Sequence, residues 1–290
     1  MSALFNDPGG QMNNASNSEQ ITSAGHKLSA GRHLDVHYLA LKDEYDATLR
    51  AAGIRPGWSV LDAGAGNGVF LPLMAELLGA EGHIEALDLA QENIEAIETL
   101  IASQRLACPI NTRIGDMTAL PYETGTFDAV WSANSTQYLS DEQLTRAIEE
   151  FRRVVRPGGL VAVKEVDISV WQYQPQDPKL VWRLLDALSD DTQISGAMRG
   201  TRLSAWFSAA GLENVSAITT VAERRQPLRV VEREYIGNNL AFLSGLARTC
   251  DLPEADHRQW QAVGEDPERL ISDPGFCYRE MWVLSLGVRV

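Results

Sequence analysis

Cysteine and positive charge are both scarce in this chain. Its 290 residues hold three cysteines, Cys108, Cys250 and Cys277. They are too few and too far apart for a disulfide framework or a zinc site, so reduced thiols and a cytoplasmic location are expected. Twenty-five Lys and Arg stand against 39 Asp and Glu, a formal charge of −14. No Lys/Arg stripe offsets that charge, which would repel a phosphate backbone and excludes nucleic acid as a partner. No stretch approaches about 18 uninterrupted apolar residues, and the N-terminus lacks a basic segment followed by an apolar core. Neither membrane insertion nor export is expected. Among the five histidines only His33 and His37 stand four apart, without the glutamate of an HExxH motif, and no metal is expected. Large apolar side chains are also sparse in residues 1–24, an Asn-, Ser- and Gly-rich segment that reads as disordered.

The rest of the chain has 44% hydrophobic residues overall to draw on, enough for a substantial core. Residues 25–57 are expected to form a helical cap, with Leu34, Tyr38, Leu41, Tyr45 and Leu49 at helical spacing from about His33 to Ala52. Gly53 and the Pro56-Gly57 pair close that helix. Next comes WSVLDAGAGNG, residues 58–68, the end of a buried strand followed by a turn in which Gly64, Gly66 and Gly68 let backbone approach a ligand. A helix starting at about Gly68 would aim its first N–H groups at that ligand. Val69 stands where a dinucleotide fingerprint needs its third glycine, which argues against a nicotinamide-dependent oxidoreductase. Residues 83–94 give a second strand ending in Asp88, about 20 residues past the turn, where an acid can chelate ribose hydroxyls. Residues 110–121 give a third, ending in Gly115-Asp116-Met117, suited to an adenine amino group and its face. Residues 127–139 and 153–167 supply a fourth and a fifth strand.

In this order the motifs resemble those of class I S-adenosylmethionine-dependent methyltransferases, over residues 58–167. The pattern is most similar to the small-molecule branch that includes the ubiquinone and menaquinone C-methyltransferases, and beyond it to C-methyltransferases acting on isoprenoid chains or prenylated indoles. The resemblance implies an α/β fold, a doubly wound seven-stranded Rossmann-like sheet, with S-adenosyl-L-methionine as cofactor. The core would be residues 58–223 and 279–290, and residues 224–278 a helical insertion capping the crevice. The expected cofactor residues are Tyr38, Asp62, Gly64, Gly66, Asn67, Gly68, Asp88, Leu89, Asp116, Met117 and Asn134. Asp62 could instead hold backbone N–H groups, and Asn134 could cap the segment after strand four.

A methyl acceptor that is small and largely apolar is expected, with C-methylation ahead of O- or N-methylation. A non-catalytic cofactor-binding subunit is the rival reading. Glu165, at the end of strand five, suits proton removal or carbocation stabilisation, or else a salt bridge with Lys164. His37 is a second candidate base, against a half-exposed helix residue. Tyr138, Trp171 and Trp182 are candidates for the substrate wall, against core packing. Arg224, Arg225, Arg229 and Arg233 could clamp a diphosphate or simply pair with nearby glutamates. The amphipathic N-terminal helix could dock on its own domain or build a homo-oligomer.

Overall fold

The computed structural model describes residues 31–290, with side chains from Leu34 onward; the segment 1–24 expected to be disordered lies outside the described residues. The helix expected over 33–52 is two helices, α1 (Gly31–Ala40) and α2 (Lys42–Ala51). Leu41 between them leaves helical geometry, at φ −121° and ψ 16°, and is wholly buried. The break turns Tyr38 and Tyr45 toward one neighbourhood, with ring centroids 6.4 Å apart.

There follow β1 (Ser59–Ala63), α3 (Leu71–Leu78), β2 (His83–Asp88), α4 (Gln91–Ser103), β3 (Ile110–Ile114) and β4 (Phe127–Ala133). A single 3-10 turn at Thr136–Tyr138 leads to α5 (Asp141–Val154) and β5 (Val155–Gln174). Beyond β5 come α6 (Pro178–Ala187), α7 (Thr192–Ala197), α8 (Leu203–Ala209) and β6 (Leu212–Arg225). The chain ends with α9 (Val230–Ala247), α10 (Glu254–Glu265), α11 (Pro267–Ile271) and β7 (Cys277–Arg289).

The sheet has seven strands in the order β3-β2-β1-β4-β5-β7-β6. β1 to β5 run parallel, and β7 runs antiparallel to both β5 and β6. Alternation divides each inner strand between two cores: Val60 and Trp131 face one, Leu61 and Val130 the other, all wholly buried. Because the chain reverses its direction of winding between β1 and β4, a crevice opens at their carboxyl ends. Two departures from expectation shape that crevice. Helix α3 starts at Leu71, three residues later than the turn suggested, because Gly64, Gly66 and Gly68 all sit at positive φ and delay helical geometry. Strand β5 runs to Gln174, past the expected 167: its pairing with β7 shifts between Asp167 and Gln172 and then resumes, which carries Ile168 and Trp171 beyond the parallel sheet. Helices α1 and α9 pack against each other across the same opening.

Candidate active site

One cleft joins the glycine turn, the ends of β2 and β4, the upper part of β5, and helices α1, α7 and α9. Its floor is the turn after β1. Gly64 lies at φ +79°, and a Cβ there would meet Ser135 Oγ at 2.5 Å and Met117 Cε at 2.8 Å, so the position accepts only glycine. Gly66, at φ +55°, faces Leu34 of α1 across the cleft. Gly68 does not line the cleft: a Cβ there would strike Leu71 Cδ1 at 2.8 Å and Ile97 Cγ1 at 3.0 Å, so this glycine serves helix packing rather than ligand approach. That corrects its expected role.

Asp88 ties the floor together. Its Oδ2 accepts from Gly66 N at 2.8 Å, and its Oδ1 from Ala90 N at 2.9 Å and Asn93 Nδ2 at 3.0 Å. A carboxylate offers about four lone-pair sites, so one remains toward the cleft. Asp116 uses Oδ1 to accept from Thr118 N and Oγ1, while Met117, Leu89 and Tyr138 complete the adjoining wall. Asn67 donates to Asp35 of α1 at 2.7 Å. Asp62 is the anomaly of the site. It is 2% exposed, its Oδ2 has no hydrogen-bond partner, and burial together with the nearby charge of Asp88 pushes its carboxyl up to about 8. An unpartnered buried acid facing a cleft is a socket for a cationic donor.

On the other side lies a polar chain that sequence reasoning did not assemble. Lys164 is wholly buried, donates to Asn134 Oδ1 at 2.6 Å, and stands 3.8 Å above the Tyr45 ring and 4.8 Å from Trp282. Burial pulls its ammonium down to about 7 against the pull of Glu165 and Glu280. Asn134, at φ 54°, donates to the Tyr45 hydroxyl at 3.3 Å, which lies 2.7 Å from His37 Nε2. The His37 ring stacks on Tyr235, 4.7 Å away, whose hydroxyl donates to the buried Glu280 at 2.7 Å. Tyr38, expected to cover the cofactor, lines the cleft and donates to Asp46 at 2.6 Å. No motif marks Lys164, Tyr235 or Glu280; a lysine and a glutamate inside apolar strands were the only signal in the sequence.

Two expected residues fall elsewhere. Glu165 does not line the cleft. Its Oε2 accepts from Thr136 Oγ1 at 2.7 Å and Gln137 N at 2.9 Å, and its Oε1 from Val166 N at 3.0 Å, so it anchors the 3-10 turn from beneath. Burial nonetheless raises its carboxyl. Trp182 sits on α6, 48% exposed and away from the cleft, because α6 buries Leu180, Val181, Leu184 and Leu185 instead. Trp171 does line the cleft. The arginine cluster is spent on glutamates: Arg224 on Glu44 and Glu232, Arg225 on Glu223, Arg229 on Glu232 and Arg233 on Glu268.

Residues 60–159 match the methyltransferase domain family. These residues are a class I methyltransferase domain. A malonyl-[acyl-carrier protein] O-methyltransferase of Erwinia billingiae is 38% identical over 37% of this chain and 38% of its own length. A ubiquinone/menaquinone biosynthesis C-methyltransferase of Ralstonia pickettii is 30% identical over 43% of this chain and 49% of its own. The chain thus spans half or less of the curated relatives it matches first. Among solved structures, the YcgJ protein of Bacillus subtilis superposes with a TM-score of 0.52 at 16% identity, over 85% of this chain and 98% of that one. A Haemonchus contortus phosphoethanolamine N-methyltransferase with bound S-adenosylhomocysteine gives 0.54 at 16%, over 89% and 57%. Both share the fold of the methyltransferase domain. The chain's own residues fit S-adenosylmethionine: Asp62 offers an unpartnered acid to an ammonium, and Asp88, Asp116 and Met117 line the same cleft beside the glycine turn.

Proposed function

We propose that this protein transfers the methyl group of S-adenosylmethionine to a small, largely apolar metabolite, with carbon as the preferred acceptor atom and natural-product biosynthesis of the isoprenoid or terpenoid-alkaloid kind as the setting. The observation that carries the reading is the unpartnered buried Asp62 in the same cleft as Asp88 and an aromatic wall of Tyr45, Trp171, Tyr235 and Phe242. The sulfonium supplies a methyl carbon for in-line displacement: the bond from sulfur to that carbon breaks as the acceptor's bond to it forms, and the sulfur keeps the electron pair. The chain's task is to align the acceptor and exclude water.

Tyr38, Asp62, Gly64, Gly66, Asn67, Asp88, Leu89, Asp116, Met117 and Asn134 hold the cofactor in this reading. His37 is the group placed to receive an acceptor proton, and the Tyr45 hydroxyl, 2.7 Å from its Nε2, orients the ring. Glu165 acts through the turn it anchors, and Tyr138 and Trp171 contact ligand directly. Carbon is preferred because a wall rich in aromatic faces stabilises a cation formed by alkene methylation. Self-association through α1 is the weaker part of the reading, since Val36, Ala40 and Leu41 are buried in the chain's own core. Calorimetric titration with S-adenosylmethionine and S-adenosylhomocysteine tests the assignment: sub-millimolar binding supports it, and its lack refutes it.

A further inference from the structure

The half of the cleft beyond the cofactor residues has a distinct electrostatic character. Among the described residues, no lysine or arginine lines the cleft, whose carboxyl groups are Asp62, Asp88 and Asp116. The cations nearest to it are committed behind the wall. Lys164 donates to Asn134, and Arg199 to Asp141 and to the Thr136 and Leu139 carbonyls. Arg224 is held by Glu44 and Glu232. An anionic head group entering here would shed its water and meet no lysine or arginine of the chain.

The remaining wall is Ile168 and Trp171 of β5, Ile194 and Ala197 of α7, and Tyr235 and Phe242 of α9. Trp171 is 9% exposed, and its Nε1 has no hydrogen-bond partner in the protein. An indole N–H only donates, so what it lacks is an oxygen or nitrogen lone pair. Trp131 and Trp260 also keep Nε1 without a hydrogen-bond partner, but of the three only Trp171 lines the cleft, where a ligand can reach it.

We propose that the acceptor half of the cleft takes a neutral, mainly apolar molecule carrying one hydrogen-bond-accepting oxygen, which Trp171 Nε1 meets, and rejects carboxylates and phosphates. The inference rests on the methyltransferase reading and narrows it. An acyl chain delivered as a free acid, or a phosphorylated amine, is then the wrong substrate class even though proteins of such names share part of the sequence or the fold.

The test uses the full chain saturated with S-adenosylhomocysteine, whose binding is measured first. If that ligand fails to bind, the methyltransferase reading falls; if it binds, the acceptor arms decide the inference. Four probes of one shape, naphthalene, 2-naphthol, 2-naphthoate and 2-naphthyl phosphate, are titrated at pH 7 by calorimetry. The expected order is 2-naphthol tightest, with both anions weaker by roughly tenfold or more. Trp171→Phe removes the donor together with one ring of the indole, so both probes lose contact area, and 2-naphthol should lose roughly threefold to tenfold more affinity than naphthalene does. Gln193→Arg adds a cation to the wall and should bring 2-naphthoate to within reach of 2-naphthol. Anions binding as tightly as 2-naphthol to the unmodified chain would overturn the proposal. Equal losses of naphthalene and 2-naphthol in Trp171→Phe would overturn the assignment of the oxygen to Nε1.

Discussion

At the scale of single residues, Asp62 makes the sharpest prediction. Its carboxyl, raised to about 8 in the folded chain by burial and Asp88, must ionise to hold an ammonium group. The free protein therefore carries a proton there at pH 6 to 7, and cofactor binding expels it. Affinity for S-adenosylmethionine should rise with pH between 5.5 and 7.5, by up to tenfold per unit. Calorimetry in phosphate and in Tris should report release of close to one proton. Asp62→Asn should flatten that dependence and weaken binding. In the absence of cofactor the sign for folding is opposite: a carboxyl whose folded value is raised contributes stability at low pH that is lost as pH climbs through about 8. The glycines separate in the same spirit. Gly66→Trp should abolish cofactor binding in a folded protein, because Gly66 faces the cleft. Gly68→Ala should instead cost about 1–3 kcal/mol of stability in urea titration, because its Cβ meets Leu71 and Ile97 at φ +81°. In sequence these glycines look identical; only the direction each Cα–H faces divides them.

At the scale of elements, β6 is joined to the helices by ion pairs that sequence left ambiguous. Arg224 is 13% exposed in its side chain and binds the Glu44 carboxylate of α2, the Ala40 carbonyl of α1 and Glu232 of α9. Removing it leaves Glu44 without its partner and Glu232 with Arg229 alone, so Arg224→Ala should destabilise the fold by about 3 kcal/mol. Pyrophosphate should leave the melting temperature of the unmodified chain unchanged, because each of the four arginines is already paired with a glutamate. A rise in melting temperature with pyrophosphate would restore the phosphate clamp. Glu165 belongs to the same scale. Two of its three hydrogen bonds fasten the 3-10 turn at Thr136–Tyr138 to β5, and that turn carries Gln137 and Tyr138 into the cleft. Sequence placed Glu165 at a strand end, but β5 continues to Gln174, and the pleat that turns Val166 to the cleft turns Glu165 away from it.

At the scale of the whole molecule, the parallel half of the sheet could be read from sequence because each βα unit carries its own periodicity, turn and acid within some 30 residues. Asp88, Asp116 and Met117 could be placed for that reason, since their positions follow from local chain geometry. The wall made by α1, α7, α9 and β5 could not. Tyr45, Lys164, Tyr235 and Glu280 come together only through β7 returning beside β5 and α9 folding over it, contacts that no local period encodes. The split of the first helix at Leu41 escaped for the same reason: tertiary burial of Leu41 overrides a helical pattern that runs unbroken in sequence. A ligand in the cleft touches both halves at once, which gives the last prediction. Hydrogen exchange with and without S-adenosylhomocysteine should slow amides in the glycine turn, in residues 34–40 of α1 and in α9 together, while the outer strands β3 and β6 keep their rates. At one hundred times the dissociation constant, the bound chain should gain about 2.7 kcal/mol against unfolding. Protection confined to the glycine turn and β2, with α1 and α9 exchanging as before, would mean that the helices do not close on the cofactor and that the cleft is two sites rather than one.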